Sequence, residues 1–322
     1  MARQITLLQV DGWTAQAKGY EDFVYDSRTC EARFCNLSPT EEQRLLGVAD
    51  GVRLWVEGKG DAWEPTVKGH LAAAHIPILK SNIQKSVRRG DATAAVDSTK
   101  LALLAKPEEV LRRIPVIAVE DVALVKGYSS IVWLMMSLKY RRLSHQDAQF
   151  VCGYVRALAE RDEVFKEGRQ DKVTRREITS MRSAMARTEV LSVFHRMRYG
   201  GMACDVRLLA AAAASYFLKP DSIVIAKRFY PVDVSFVNVC VGILPEAIDF
   251  HPFPRIVNSV VSATGLTKEF VRQMIWRAES GVNVRKPGTL EDSRAARLDT
   301  KWAMIEEYLA MERSLIRQHY HI

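Results

Sequence analysis

Residues 83–124, IQKSVRRGDATAAVDSTKLALLAKPEEVLRRIPVIAVEDVAL, constrain the fold more than any other stretch of the chain. They read as a basic helix, a small-residue helix and an apolar helix in close succession. Gly90-Asp91 breaks the first pattern, and Asp91 offers the short side-chain acceptor that suits the next N-cap. Positions 92–104 are rich in small residues, which permits close helix approach. Lys106-Pro107 marks another boundary. Glu108/Arg112 and Glu109/Arg113 are spaced as i,i+4 pairs, each worth about 0.3 kcal/mol. Pro115 lies inside the third pattern, so a kink or restart is expected there.

The flanking sequence extends this reading. Over 1–37, ITLLQV, EDFVYDS and CEARFCNL have the β-branched and aromatic character of strands, with Asp11-Gly12 and Lys18-Gly19 as turns. Ser38-Pro39-Thr40-Glu41 has the form of a capping box, and predicts a helix to about 56 that stops at Gly58-Lys59-Gly60. Helical periods dominate from Pro65 onward. Helices are expected at 129–140 (apolar and buried), 144–164, 174–198 (long and basic), 203–218, 253–264, 267–280 and 290–319. In the last, Leu298, Trp302, Ile305, Leu309 and Ile316 form one apolar stripe, widened by Met311 and Leu315. Residues 221–243 have strand-like composition and are expected as a short β element, a hairpin being one form of it. The fold class is mainly α, a multi-helix bundle with a small N-terminal β-hairpin or meander. Three parts are expected: a β-plus-helix cap over 1–62, a helical domain over 63–165, and a C-terminal helical domain over 174–322, after a polar linker at 166–173.

Composition and absent motifs narrow the function classes. No apolar run reaches the roughly 18 residues of a membrane span, and the start lacks the length of a secretory signal, so an intracellular setting is expected. The five cysteines, Cys30, Cys35, Cys152, Cys204 and Cys240, are scattered and odd in number, which fits free thiols in a reducing compartment. There is no GxxxxGK[ST] loop, no strand-linked GxGxxG and no GxSxG elbow. Cys30, Cys35, His70 and His75 have the ligand types of a zinc site. However, His70 and His75 would point to different faces of a helix, so no metal and no cofactor is expected. Glu120-Asp121 are adjacent and diverge on a helix, so a salt bridge or cap to a neighbouring helix is the expected role. Asp249 and His251 have the spacing of a base and its orienter, or of a structural pair.

Charge is the stronger signal. The chain carries 46 Lys and Arg against 38 Asp and Glu, a formal +8. Lys80, Lys85, Arg88 and Arg89 cluster without an acid among them, and Lys139, Arg141 and Arg142 form a second group. Residues 166–198 hold nine Lys and Arg against four acids, and Arg175, Arg182 and Arg196 recur at multiples of seven. Basic stripes bind phosphate backbone by counterion release, without reading bases. The candidate nucleic-acid contacts are therefore Lys85, Arg88, Arg89, Arg141, Arg142, Arg175, Arg176 and Arg182, expected to share one exterior surface.

The order Ile83, Lys85, Ser86, Arg88, Asp91, Ala94, Ala95, then Arg112, Arg113, Glu120, Asp121 and Val122, resembles the C-terminal helical collar of the MgsA/RarA (Werner-interacting ATPase) branch of clamp-loader-like AAA+ proteins. There, an I.KS.RG.D..AA helix pair leads into an arginine-containing helix ending in EDIG. The match covers residues 83–124, and the ATPase module of that family has no counterpart here. The resemblance implies a collar-like, oligomerising helical fold and a DNA replication or repair setting.

Together these readings predict a non-catalytic accessory protein of nucleic-acid transactions, with DNA preferred over RNA. It would self-associate or dock on a protein partner, and would not involve a membrane. Two alternatives stand beside it. One is a metal-dependent nuclease or other phosphoryl-transfer enzyme using Asp249, His251 and Glu120 or Asp121. The other is a scaffold protein of a large assembly.

Overall fold

The computed structural model describes residues 21–68, 76–162, 164, 173–225, 232–239, 241–250, 253–280 and 282–320. The expected strands within 1–20, the pair His70 and His75, most of the 166–173 linker, Cys240 and His251 lie outside the described residues. The fold is mainly α with a small β element. One cluster of buried apolar side chains runs from Phe23 to Ile316 and draws on every part of the described chain.

Four strands form the N-terminal sheet: β1 (Glu21–Asp26), β2 (Glu31–Cys35), β3 (Gln43–Ala49) and β4 (Val52–Glu57), in the order β2-β1-β4-β3. β1 pairs antiparallel with β2 and parallel with β4, and β3 pairs antiparallel with β4. The helix expected over 38–56 is therefore a hairpin. Asp50 and Gly51 turn it with φ of 49° and 74°, the paired left-handed conformation of a type I′ turn, which Asp-Gly adopts most readily. The apparent capping box does not form; the Thr40 amide donates to Gln43 Oε1 instead. Gly47 sits at a bulge in β3, where a Cβ would fall 2.4 Å from the Tyr140 ring. That ring lies across the strand and its hydroxyl donates to the Val48 carbonyl.

The helices are α1 (Ile76–Arg89), α2 (Ala92–Ala105), α3 (Pro107–Asp121), α4 (Tyr128–Ser137), α5 (His145–Ala159), α6 (Arg175–Thr179), α7 (Ala184–Arg198), α8 (Ala203–Leu218), α9 (Pro245–Phe250), α10 (Phe253–Thr264), α11 (Lys268–Ile275), α12 (Thr289–Arg297) and α13 (Thr300–Tyr320). Asp91 caps α2 by accepting from the Ala94 amide. Ser144 and Asp147 form a reciprocal capping box on α5. Of the kink or restart expected at Pro115, the restart does not occur: Pro115 is buried inside the continuous α3. The expected basic helix over 174–198 is two helices, because Ser180 to Ser183 leave the helical path and Ser183 caps α7. The expected 290–319 helix likewise divides into α12 and α13. Its stripe is narrower than predicted: Trp302, Ile305, Leu309 and Ile316 are buried, while Leu298, Met311 and Leu315 are exposed. The β element expected near 221–243 is β6 (Phe236–Asn238), which pairs in parallel with β5 (Thr66–Lys68).

Helix α4 is buried along its whole length and is the hub of the core. Trp133 stacks on Tyr25 at 4.4 Å and donates to the Phe23 carbonyl at 3.0 Å. Tyr25 in turn donates to Asp147 Oδ1 at 2.7 Å, so sheet, α4 and α5 are fastened together. The first turn of α4 has no local side-chain cap. Glu189 of α7 fills that role, accepting from the Gly127 and Ser129 amides at 2.8 Å each. The helix would otherwise bury orphan donors. Replacing Glu189 by Ala is expected to cost about 3 kcal/mol, the penalty of leaving two buried N–H groups unpaired. Denaturant titration of the two proteins measures it, and a loss near zero would remove Glu189 from this role.

Candidate anion-binding cleft

A cleft of about 1040 Å³ opens where α1 and α3 meet α7, the start of α8 and the segment 276–286. Seven basic side chains line it (Lys80, Lys85, Arg88, Arg112, Arg113, Arg196 and Lys286), against the carboxylates Glu109, Glu120, Asp121 and Asp205.

Its floor is a buried ion-pair network. Arg88 Nε meets Asp121 Oδ1 at 2.7 Å and Arg88 Nη2 meets Glu120 Oε1 at 2.9 Å. Gln84 donates to Asp121 Oδ2 at 2.8 Å and Glu120 Oε2 at 3.0 Å, and accepts from Arg113 at 2.5 Å. Arg113 also reaches Asp205 at 3.3 Å, and Lys286 stands 3.8 Å from Asp121. Burial works to raise the Asp121 pKa, but the Arg88 guanidinium, then Lys286, outweigh it and hold the carboxyl below its ordinary value. Both acids of the Glu120-Asp121 pair thus bridge to α1.

Lys85 is 5 % exposed on the same wall. Desolvation, reinforced by the neighbouring Arg88 charge and opposed by Asp121 and Glu120, lowers its amine to about 7. Arg196 is also buried. It donates to the Arg112 carbonyl at 2.9 and 2.7 Å and to the Gly200 carbonyl at 2.7 Å, and no carboxylate among the described residues pairs with it. Arg112 is exposed, with its guanidinium 5.7 Å from the Tyr199 ring centre. At the rim, a π turn at Trp276–Ser280 continues α11 and leaves Trp276 59 % exposed. Such turns recur at functional sites.

The eight predicted contacts fare differently. Lys85 and Arg88 line the cleft, the first as a buried amine rather than an exposed one. Arg89 leaves it to pair with Glu246 of α9. Arg141 pairs with Asp147 and lies over Trp133. Arg175 is held by Glu21 at the start of β1, at 2.7 Å. Arg142, Arg176 and Arg182 are exposed, and none of the three lines the cleft. The groups at 85–89 and 175–182 therefore do not form one exterior stripe. The break between α6 and α7 ends the sevenfold spacing, and Arg196 is buried.

The expected i,i+4 pairs on α3 are replaced too: Glu109 pairs with Lys80. Asp249 is buried in a bidentate contact with Arg313, at 2.9 and 2.6 Å. Among the described residues, no group of three or more His, Cys, Asp and Glu stands where a metal could be held, and no helix is long and apolar enough to cross a membrane.

Arg112, Arg196, Trp276, Asn283 and Lys286 were not singled out as contacts from the sequence. Arg112 is part of the collar-like motif and Arg196 of the sevenfold basic spacing; Trp276, Asn283 and Lys286 come from distant chain and carry no local signal. Comparison with protein-family models, curated proteins and solved structures finds no match to this chain.

An amine lowered by burial is neutral in the folded chain above about pH 7 while the unfolded chain still holds its proton, up to the ordinary lysine value of 10.5. The unfolded state then binds more protons, so stability rises with pH through that window. The stability of the Lys85→Met variant should lack this component. The difference between wild type and variant should shift in favour of wild type by on the order of 1 kcal/mol per pH unit above neutrality. A pH-independent difference would contradict the assignment.

Proposed function

We propose that this protein is a non-catalytic accessory factor of nucleic-acid transactions that holds the phosphates of a strand in the cleft between α1 and α3. The observation that carries the reading is the excess of cations lining one open cleft, with an exposed tryptophan among them. Arg112, Arg113, Lys85 and Lys286 supply charge to phosphate oxygens. Arg88, tied to Asp121 and Glu120, positions them. Trp276 offers a stacking face for a base, a contact that is worth about 1–3 kcal/mol and tolerates any sequence. The cleft holds a few nucleotides or a strand end more readily than a duplex, since its volume is that of a small-molecule site.

The preference for DNA and the replication or repair setting rest on the collar resemblance of residues 83–124. Self-association, or docking on a protein partner, belongs to the same reading. It is supported by exposed Met304, Met311 and Leu315, which recur at helical spacing on α13.

Fluorescence anisotropy with a short single-stranded oligonucleotide across a salt series tests the proposal. The binding constant should fall with salt with a log–log slope of about −2 to −3, as expected for three or four phosphate contacts. Trp276→Ala and Arg112→Gln should each weaken binding about tenfold, the lower end of what a lost stacking or phosphate contact costs. A salt-independent affinity, or variants that bind like wild type, would reject the cleft as the strand site.

A further inference from the structure

We propose that a second, separate hollow, between the Gly58-Lys59-Gly60 loop and the turn before α5, is a binding site for a single phosphate group. This hollow, of about 370 Å³, is lined by Arg44, Lys59, Arg141 and Arg142, with Asp61 as the one carboxylate on its wall. Neither the collar-like motif nor the cleft includes it.

The pattern of charge pairing singles it out. Five basic side chains elsewhere are matched: Lys80 with Glu109, Arg88 with Asp121, Arg89 with Glu246, Arg113 with Asp205, Arg175 with Glu21; Arg176 and Arg182 are exposed and line neither this hollow nor the cleft. Around this hollow, Arg44, Lys59 and Arg142 make no ion pair with any described residue. Three like charges brought to one concavity repel one another, and a dianion between them turns that repulsion into attraction. Arg141 forms the back wall. Its guanidinium is taken by Asp147, yet its buried Nη1 has no hydrogen-bond partner.

The frame is rigid. The loop and the turn are stitched by hydrogen bonds from Trp63 N to Leu143 O and from His145 N to Asp61 O, each 3.0 Å. Gly58 has a φ of 78°, and a Cβ on it would fall 2.8 Å from Ser27 Oγ. A Cβ on Gly60 would fall 2.8 Å from Ser144 Cβ. Both glycines are therefore needed to seat the loop, and with it Lys59, against α5. Arg44 is delivered by β3, so three separate chain segments bring their cations to one place. A tetrahedral oxyanion, with acceptors in every direction, suits donors converging in this way, and guanidinium groups match phosphate geometry best.

The test is isothermal titration of the full chain with inorganic phosphate near neutral pH and at low salt. Saturable binding is expected. The double variant Lys59→Gln/Arg142→Gln should weaken it about tenfold or more, the loss of two charge-assisted contacts. Both positions are exposed, so the fold should be kept, which thermal melting checks. Gly60→Val retains every cation but displaces the loop, and should also weaken binding. Trp276→Ala, in the cleft, should leave phosphate binding unchanged even if the strand-binding proposal fails. Competition by a 5′-phosphorylated oligonucleotide but not its 5′-hydroxyl form would assign a strand terminus as the source of the phosphate. No competition by either would assign the free ion or a small phosphomonoester. Absence of phosphate binding to wild type, or equal binding by the double variant, would overturn the site.

Discussion

The contact between Arg88 and Asp121 is the constraint on which the rest depends. It joins the last turn of α1 to the last residue of α3, across the stretch that contains α2, and Asp121 is 1 % exposed there. A carboxylate so deeply placed is tolerable only with cations and donors around it, because the desolvation cost is several kcal/mol per ion. Arg88, Gln84 and Lys286 supply them. The three-helix unit is thereby locked, and the C-terminal segment is drawn in: Asn283 donates to the Asp121 carbonyl and Arg285 to the carbonyls of Val87 and Leu158, at the ends of α1 and α5. The cleft follows from this closure. Its acids are consumed in holding the walls, and Arg112 is exposed on its lining.

On the proposed reading, this network sets how the cleft would act on an anion. Arg88 cannot leave its partners cheaply, so it acts on a bound anion as part of a fixed field rather than as a mobile arm. Lys85, beside it, is the adjustable charge: an anion nearby favours its protonated form. Arg196 hydrogen-bonds to carbonyls and makes no ion pair among the described residues, and Asp205 on the same wall is the carboxylate whose field reaches it.

Much of the helical framework could be read from the sequence, because its signals are local. Asp91 and Ser144 cap the helices they precede, the apolar run 129–140 overlaps the buried α4, and the Ala-rich 203–218 is α8. The hairpin β3–β4 stands where a helix is expected, for a physical reason. Ser38-Pro39-Thr40-Glu41 matches a capping box, yet Asp50-Gly51, the stronger signal, sits between segments that pair as strands, and tertiary packing against Tyr140 favours the bulge at Gly47. The seam between α6 and α7 was hidden because Ser180 to Ser183 read as helix-compatible, although two of these residues are serines that cap readily.

The candidate site was legible in part. Lys85 and Arg88 are legible as part of a basic cluster, though one expected on an exterior surface, and Glu120-Asp121 as acids in an apolar helix whose bridge to a neighbouring helix is the expected role. Their partners Trp276, Asn283 and Lys286 lie more than a hundred and fifty residues further along the chain, and no pattern links them before the fold does. A double-mutant cycle on Arg88→Ala and Asp121→Ala, read by denaturant unfolding, tests the central claim most directly. A coupling energy of about 2 kcal/mol or more is expected for a buried, hydrogen-bonded pair. Additive losses, with coupling below about 0.5 kcal/mol, would show that the pair does not hold α1 to α3 and that the cleft is built some other way.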